Sequence, residues 1–378
     1  MVKFLIGGSP CTFWSIAQKN NRETTAEGLG WELFKNYLIA KEKFKPDIFF
    51  YENNKSAAKV IKDQIKKGLK VWDGIGEDSG ARYIEINSAL VSAQNRQRFY
   101  VHNCGEVGQP EDRHIYLKDI LETGIGLSGN EKSYCLTARY DGAIPWNTLE
   151  RKQREIVAER IPEYGKPDKS RPCEALYPNH AGTSEGSLEK RLCSDNPNKQ
   201  QVDLIAEPIS SIKVGAFQAT QINKVYEVKD GKITIKGKQY PIKLKDGYYI
   251  IRKLTVTECC RLQGMPEWWF RDNQGNKILS DSQAYKGLGN GWQLDTVKYI
   301  WEHRLKNIPK DEEIVVLSMY DGIATGRRIL EELGFTNVKY YAYEIDKNCI
   351  KLTSYRYPDI IHCGDAFRIR RLDWTIGF

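Results

Sequence analysis

Val2-Lys3-Phe4-Leu5-Ile6-Gly7-Gly8-Ser9-Pro10-Cys11 begins as an apolar run of β character and ends, after two glycines and a proline, on a cysteine. A strand that runs into such a turn presents the next residue at the mouth of a cleft. Pro10 fixes its own φ and the glycines let backbone approach a ligand closely, so the Cys11 thiol is held as a nucleophile would be. Free cysteine more often packs inward as an inert group, and the turn alone does not separate the two readings. The rest of the chain does.

Working outward, Leu29, Leu33, Phe34, Tyr37, Leu38 and Phe44 make a helical stripe before an apolar strand at Asp47 to Tyr51. Ala57, Ile61 and Ile65, four apart, make another before Tyr83 to Ile86. At the far end, Val315 to Met319, Val338 to Glu344 and Ile360 to Cys363 read as strands, with helices around Arg327 to Leu333 and Lys347 to Tyr355. Both ends therefore carry an α/β rhythm and together complete one sheet. From Cys104 to Tyr249 the character changes to prolines, glycines, lysines and short alternating runs such as Lys232 to Ile235 and Tyr248 to Ile251. This predicts a separate β-rich domain.

Polar clusters sit at the strand ends. Glu52-Asn53-Asn54 closes the second apolar run, and Gln94-Asn95-Arg96-Gln97-Arg98 opens a third, Phe99 to His102. Later come Arg252-Lys253-Leu254-Thr255 with Glu258, Arg261-Leu262-Gln263-Gly264, and Gly289-Asn290-Gly291. Leu317-Ser318-Met319-Tyr320-Asp321-Gly322-Ile323-Ala324-Thr325-Gly326 joins a strand to a helix as a cofactor-binding glycine turn does.

This set resembles the DNA cytosine-5 methyltransferases, which carry a Pro-Cys, a Glu-Asn-Val, a Gln-x-Arg-x-Arg and an Asp-Gly-Ile-Ala-Thr-Gly-type turn. That turn is similar to those of the vertebrate de novo branch and of phage and bacterial enzymes. The resemblance covers residues 1 to about 103 and 250 to 367. Family members begin with the cofactor turn and reach Pro-Cys later, so the motif order here looks circularly permuted. Asn54, Tyr320 and Gly291 replace the usual valine, phenylalanine and serine. The resemblance implies a circularly permuted, Rossmann-like α/β methyltransferase sheet with a second, β-rich target-recognition domain. The expected divisions are 1–104 (catalytic half), 105–249 (target recognition, opening near Tyr134-Cys135-Leu136-Thr137-Ala138-Arg139), 250–305 (return segment), 306–313 (linker) and 314–378 (cofactor half).

The chemistry explains the residue types. Carbon 5 of cytosine is a poor nucleophile until a thiolate, here Cys11, adds to carbon 6. Addition pushes charge onto ring nitrogen 3, where a carboxylic acid, here Glu52, would stabilise it if burial keeps it protonated. Arg96 and Arg98, two apart on an extended segment, both project from one face towards the base, the thiolate or a phosphate. The resemblance implies S-adenosylmethionine as donor. Tyr320, Asp321, Gly322, Ile323, Ala324, Thr325 and Gly326 would cradle it, with Glu344 and Ile345 at its ribose and Asp365 and Ala366 at its adenine. Asn290, Gly291 and Pro10 would close its methionine end. Duplex cytosine must leave the stack to react, and the segment Thr12 to Gly28, with Lys19, Asn20, Asn21 and Arg22, suits closure over DNA.

A formal net charge of +8 and a pI near 8.8 suit a polyanionic partner. The implied partner is duplex DNA, and the family allows a companion restriction nuclease. The nine cysteines are scattered and no secretory leader is seen, which reads as cytoplasmic. No apolar run approaches the ~20 residues that span a bilayer. Adjacent Cys259 and Cys260 read as core. Cys135, Cys173 and Cys193 form no Cys-x-x-Cys pair, and despite His180 near Cys173 no metal is expected. The alternatives are a tRNA cytosine methyltransferase of the same fold, disfavoured by the long middle region, and an idle DNA-binding regulator, disfavoured by intact Cys11, Glu52, Arg96 and Arg98. Hydride transfer would need Gly-x-Gly-x-x-Gly, and adenine modification an Asp/Asn-Pro-Pro-aromatic motif; the chain has neither.

Overall fold

The computed structural model describes residues 1–16, 22–161 and 225–376. Lys19, Asn20, Asn21, Cys173, His180, Cys193 and Phe378, each part of a reading above, lie outside the described residues, as does the side chain of Cys11. Among the described residues fifteen strands are formed: β1 (Val2–Gly7), β2 (Ile48–Asn54), β3 (Arg82–Asn87), β4 (Gln94–Asn95), β5 (Gln97–His102), β6 (Ile125–Gly126), β7 (Ser133–Tyr134), β8 (Ile156–Arg160), β9 (Val225–Lys229), β10 (Lys232–Ile235), β11 (Lys238–Pro241), β12 (Gly247–Lys253), β13 (Ile314–Met319), β14 (Val338–Tyr343) and β15 (Ile361–Gly364).

The fold is mixed α/β around a central seven-stranded sheet, ordered β15-β14-β13-β1-β2-β5-β3. β1 is its pivot, running parallel to β13 on one side and to β2 on the other, with Val2 opposite Ile314 and Phe4 opposite Ile48. Strands from the two ends of the chain thus share one ladder. Being covered on both faces, the central strands β1, β2 and β13 are mostly apolar, and their alternation sorts side chains between two layers. Phe4, Phe50, Tyr100 and Val316 face the helices Asp281–Asn290 and Leu294–Leu305, where Phe4 meets Trp301 at 4.7 Å between ring centroids. Leu5, Tyr51, Phe99 and Leu317 face the helices Gly28–Phe44 and Lys59–Gly68. Each such burial contributes roughly 1.5–3 kcal/mol.

A second, antiparallel sheet is ordered β11-β10-β9-β12-β8-β6 around Leu127, Ile156, Val228, Ile233 and Tyr249. Arg252 on β12 ties it to the main body by reaching Glu159 on β8 and both carboxylate oxygens of Glu258. Glu258 sits in the helix Val256–Gln263, which starts where Thr255 accepts from Glu258 N and ends at left-handed Gly264.

Three details differ from the sequence reading. β2 runs on to Asn54, so Glu52 is within the strand and not beyond it, because its backbone continues to pair with β5 as far as Asn54 and Arg98. Packing does not break after residue 104: Leu117, Ile120, Leu136 and Tyr140 lie in the main core, drawn there as β7 pairs with β4. Residues 306–313 are anchored on both sides, with Val2 N donating to Glu313 O and Thr336 N to Lys310 O. Among the described residues no helix is long and apolar enough to cross a membrane.

Candidate active site

Alternation along β2 builds one wall of the cleft. Tyr51 and Asn53 point to one face and brace the turn ahead of the cysteine: Asn53 Nδ2 donates to Ser9 O at 2.8 Å, and the Ser9 and Tyr51 hydroxyls meet at 2.7 Å. Cys11 then opens a short 3-10 turn, Cys11–Phe13. Gly8 is required by close approach, since a Cβ there would lie 2.6 Å from Glu52 O and 3.1 Å from Glu52 Oε2. The turn that carries Cys11 is therefore pressed against Glu52.

Glu52 points to the opposite face, where antiparallel β5 delivers Arg98, and Arg98 Nε meets Glu52 Oε1 at 2.8 Å. Burial raises the Glu52 carboxyl above its usual range, opposed by Arg98, Arg96 and a hydrogen bond from Trp292. Arg96 shares that face but is spent differently. It is 2% exposed, and its guanidinium donates to Leu136 O at 3.1 Å and to Gly291 O at 2.6 Å, so it clamps two loops together. The sequence reading turned both arginines towards the base, the thiolate or a phosphate; here Arg96 engages backbone carbonyls and Arg98 lies beside the carboxyl. It also gave no role to Cys135, whose sulfur lies 3.3 Å from Arg96 Nη1 and 3.9 Å from Arg98 Nη2. Nor did it foresee Trp292.

The glycine turn after β13 is built from backbone. Tyr320, Gly322 and Ala324 all have positive φ (65°, 63° and 58°), so two non-glycine residues hold the left-handed conformation, an arrangement that costs of order 1–3 kcal/mol each and gathers at ligand sites. Glu344, just past β14, braces the turn by accepting from Gly322 N at 2.8 Å and from Ile345 N and Asp346 N at 2.7 Å each. Asp321 accepts from Ser318 Oγ at 2.7 Å and Tyr340 Oη at 2.6 Å, and desolvation still pushes its carboxyl up to about 6. Asn290 and Gly291 arrive beside this turn, because Gly287 in the same helix packs so tightly on Ile323 that a Cβ would fall 2.7 Å from it. Asp365 and Ala366 follow β15, with Asp365 Oδ1 accepting from Phe367 N at 2.9 Å. Pro10, Asn290, Ile345 and Asp365 are all exposed. The predicted cofactor residues after β13, β14 and β15 thus line neighbouring ends of parallel strands, where ligands of open α/β sheets bind.

Comparison with known proteins places this construction. A model for the C-5 cytosine-specific DNA methylases matches residues 1–306, and the chain belongs to that family. It is 24% identical over 311 residues to Type II methyltransferase M.FnuDI of Fusobacterium nucleatum, an alignment spanning 82% of this chain and 78% of that one. Among solved structures it resembles S. pombe Dnmt2 methyltransferase, at 13% identity, 80% and 77% coverage and a TM-score of 0.37. A Spodoptera frugiperda DNMT2 mutant gives 14% identity, 79% coverage of each chain and a TM-score of 0.35. The chain is therefore an enzyme of the cytosine-5 methyltransferase class.

Proposed function

We propose that this enzyme methylates carbon 5 of cytosine in duplex DNA, using S-adenosylmethionine, by base extrusion and covalent addition of Cys11. The carrying observation is the buried Glu52–Arg98 pair set against the turn that bears Cys11. Cys11 adds as thiolate to carbon 6 while Glu52 gives a proton to ring nitrogen 3, which turns carbon 5 into a nucleophile. Arg98 holds the carboxyl in place and faces the developing charge. Once carbon 5 carries its new methyl group, loss of its proton to a base would expel the thiolate, and return of the nitrogen 3 proton to Glu52 would restore the ring.

The cofactor fits the residues present. The Thr325 hydroxyl is buried with no hydrogen-bond partner among the described residues, and Ile345 leaves an apolar side chain 70% exposed next to Glu344. Tyr320 to Gly326, Glu344, Ile345, Asp365 and Ala366 would hold S-adenosylmethionine, with Pro10, Asn290 and Gly291 at its methionine end. Bound there, it supplies an electrophilic methyl group.

The DNA reading over tRNA draws on the size of the region between β5 and β12 and on the lysines of its sheet, Lys229, Lys232, Lys236 and Lys238 among them. We assign that sheet to target recognition. The circular permutation is supported by β1 lying between β13 and β2, and by a family match that ends at 306, before the cofactor turn. A chain that joins Phe378 to Met1 through a short flexible link and opens between Pro309 and Asp311 should fold and methylate the same site. Methylation confined to the natural order would refute the permutation.

A duplex bearing 5-fluorocytosine, incubated with enzyme and S-adenosylmethionine, should give a denaturation-resistant complex that Cys11→Ser does not form. Conversion sequencing of plasmid from expressing cells should then show one short motif with protected cytosines. Trapping on tRNA and not on the duplex would move the assignment to tRNA, and trapping on neither would leave the binding-protein reading.

A further inference from the structure

Cys135 lies outside every role derived above, yet it touches both arginines of the site. Its sulfur meets Arg98 Nη2 at 3.9 Å, while Nε of the same guanidinium meets Glu52 at 2.8 Å. One cation thus stands between a carboxyl and a thiol. Backbone fixes this placement: Tyr134 pairs with Asn95, Leu136 N donates to Gln94 Oε1 at 3.1 Å, and Leu136 O accepts from Arg96. Other cysteines behave differently, since burial pushes the Cys104 and Cys260 thiols up to about 12. At Cys135 burial also pushes upward, but Arg96 and Arg98 outweigh it and hold the thiol below its ordinary value.

We propose that Cys135 is a positioning residue for the Glu52–Arg98 pair, its sulfur holding Arg98 at a second nitrogen and taking a share of the guanidinium charge that Glu52 would otherwise feel. This rests on the role given to Glu52 above, which requires a protonated carboxyl. The groups facing Glu52 are Arg98, Arg96, the Trp292 indole and the Tyr100 phenol, with the Tyr51 phenol on the opposite face of β2, and those facing Cys135 are Arg96 and Arg98. The two guanidiniums draw the proton off Glu52. A thiolate offsets them, and its charge grows as pH rises. The thiol therefore extends methyl transfer to higher pH.

The test is the pH profile of single-turnover methyl transfer, at saturating S-adenosylmethionine, for wild type, Cys135→Ser and Cys135→Asp, after calorimetry confirms cofactor binding by each. The wild-type to Cys135→Ser ratio should widen with pH, reaching about tenfold on the alkaline side, the equivalent of one pKa unit on Glu52. Cys135→Asp, with a fixed charge at the same place, should restore the wild-type slope. A ratio constant across pH, identical profiles, or an aspartate variant that follows serine would overturn the proposal; so would loss of cofactor binding in both variants, which would mark a packing residue. Thiolate absorbance supplies a readout free of activity: the difference between wild type and Cys135→Ser should titrate below the ordinary thiol range, and a step at or above that range would also overturn it. A wild-type enzyme that titrates as expected but transfers no methyl group to cytosine would defeat the reading of Glu52 and leave the thiol–guanidinium contact standing.

Discussion

Glu52 in the large sheet and Glu155 at the start of the small one are both buried carboxyls, and burial pushes both upward. Their surroundings differ. Glu52 shares a face with Arg98, at 2.8 Å, and has the cysteine turn pressed against it. Glu155, 1% exposed and raised to about 7, is held by Ser128, whose N–H and hydroxyl donate at 2.9 and 2.5 Å. Burial alone therefore makes a proton-holding carboxyl. On the proposed function, what would turn one into a reacting group is the cation beside it and the turn that bears the nucleophile.

The contrast breaks most visibly at Glu52. Glu52→Gln keeps the shape but cannot deliver a proton, so single-turnover methyl transfer should fall by about 10²- to 10⁴-fold. Calorimetric affinity for S-adenosylmethionine should stay near wild type, because Glu52 lies on β2 and the proposed cofactor turn follows β13. Since the wild-type carboxyl must be protonated, its rate should decline as pH rises through the raised Glu52 value, and the glutamine variant should lack that decline. A variant that retains full activity would reduce Glu52 to a second Glu155.

Much of the large sheet was legible in the sequence because its segments alternate apolar strand and amphipathic helix, and Cys11, Glu52 and Arg98 stand out as polar or reactive residues beside apolar runs. The separate fate of Arg96 was not. Its partners are the carbonyls of Leu136 and Gly291, and backbone oxygens carry no signature in residue type. Cys135 was invisible for a related reason, being joined to the arginines by the short β4–β7 ladder, a pairing of two residues on each side. In the C-terminal strands the opposite holds: the glycine turn is readable, while the strain at Tyr320 and Ala324 appears only in φ.

Glu344 sharpens the comparison as a third carboxylate, one that braces backbone. Glu344→Ala removes the acceptor for Gly322, Ile345 and Asp346 at once. Hydrogen bonds to a charged group are worth roughly 1.5–3 kcal/mol, so S-adenosylmethionine affinity should weaken about ten- to a hundredfold. Methyl transfer at saturating cofactor should change much less. Calorimetry that finds unchanged affinity would remove the cofactor from this turn.

Glu155 leaves methyl transfer untouched, and its effect concerns stability. Its folded carboxyl titrates near 7 against an ordinary 4.5, so between those values the folded state holds the proton that the unfolded chain has released. Stability must therefore fall as pH rises from about 4.5 to about 7, by up to about 3 kcal/mol, and stay level above. Glu155→Gln mimics the protonated form and keeps an oxygen for Ser128. Its melting temperature should match wild type near pH 4.5 and exceed it at pH 8, while methyl transfer on a fixed duplex is unaffected. A wild-type advantage at pH 8 would mean that the Ser128 bonds to the ionised carboxylate outweigh its burial, and the two glutamates would then differ in their own protonation as well as in their neighbours.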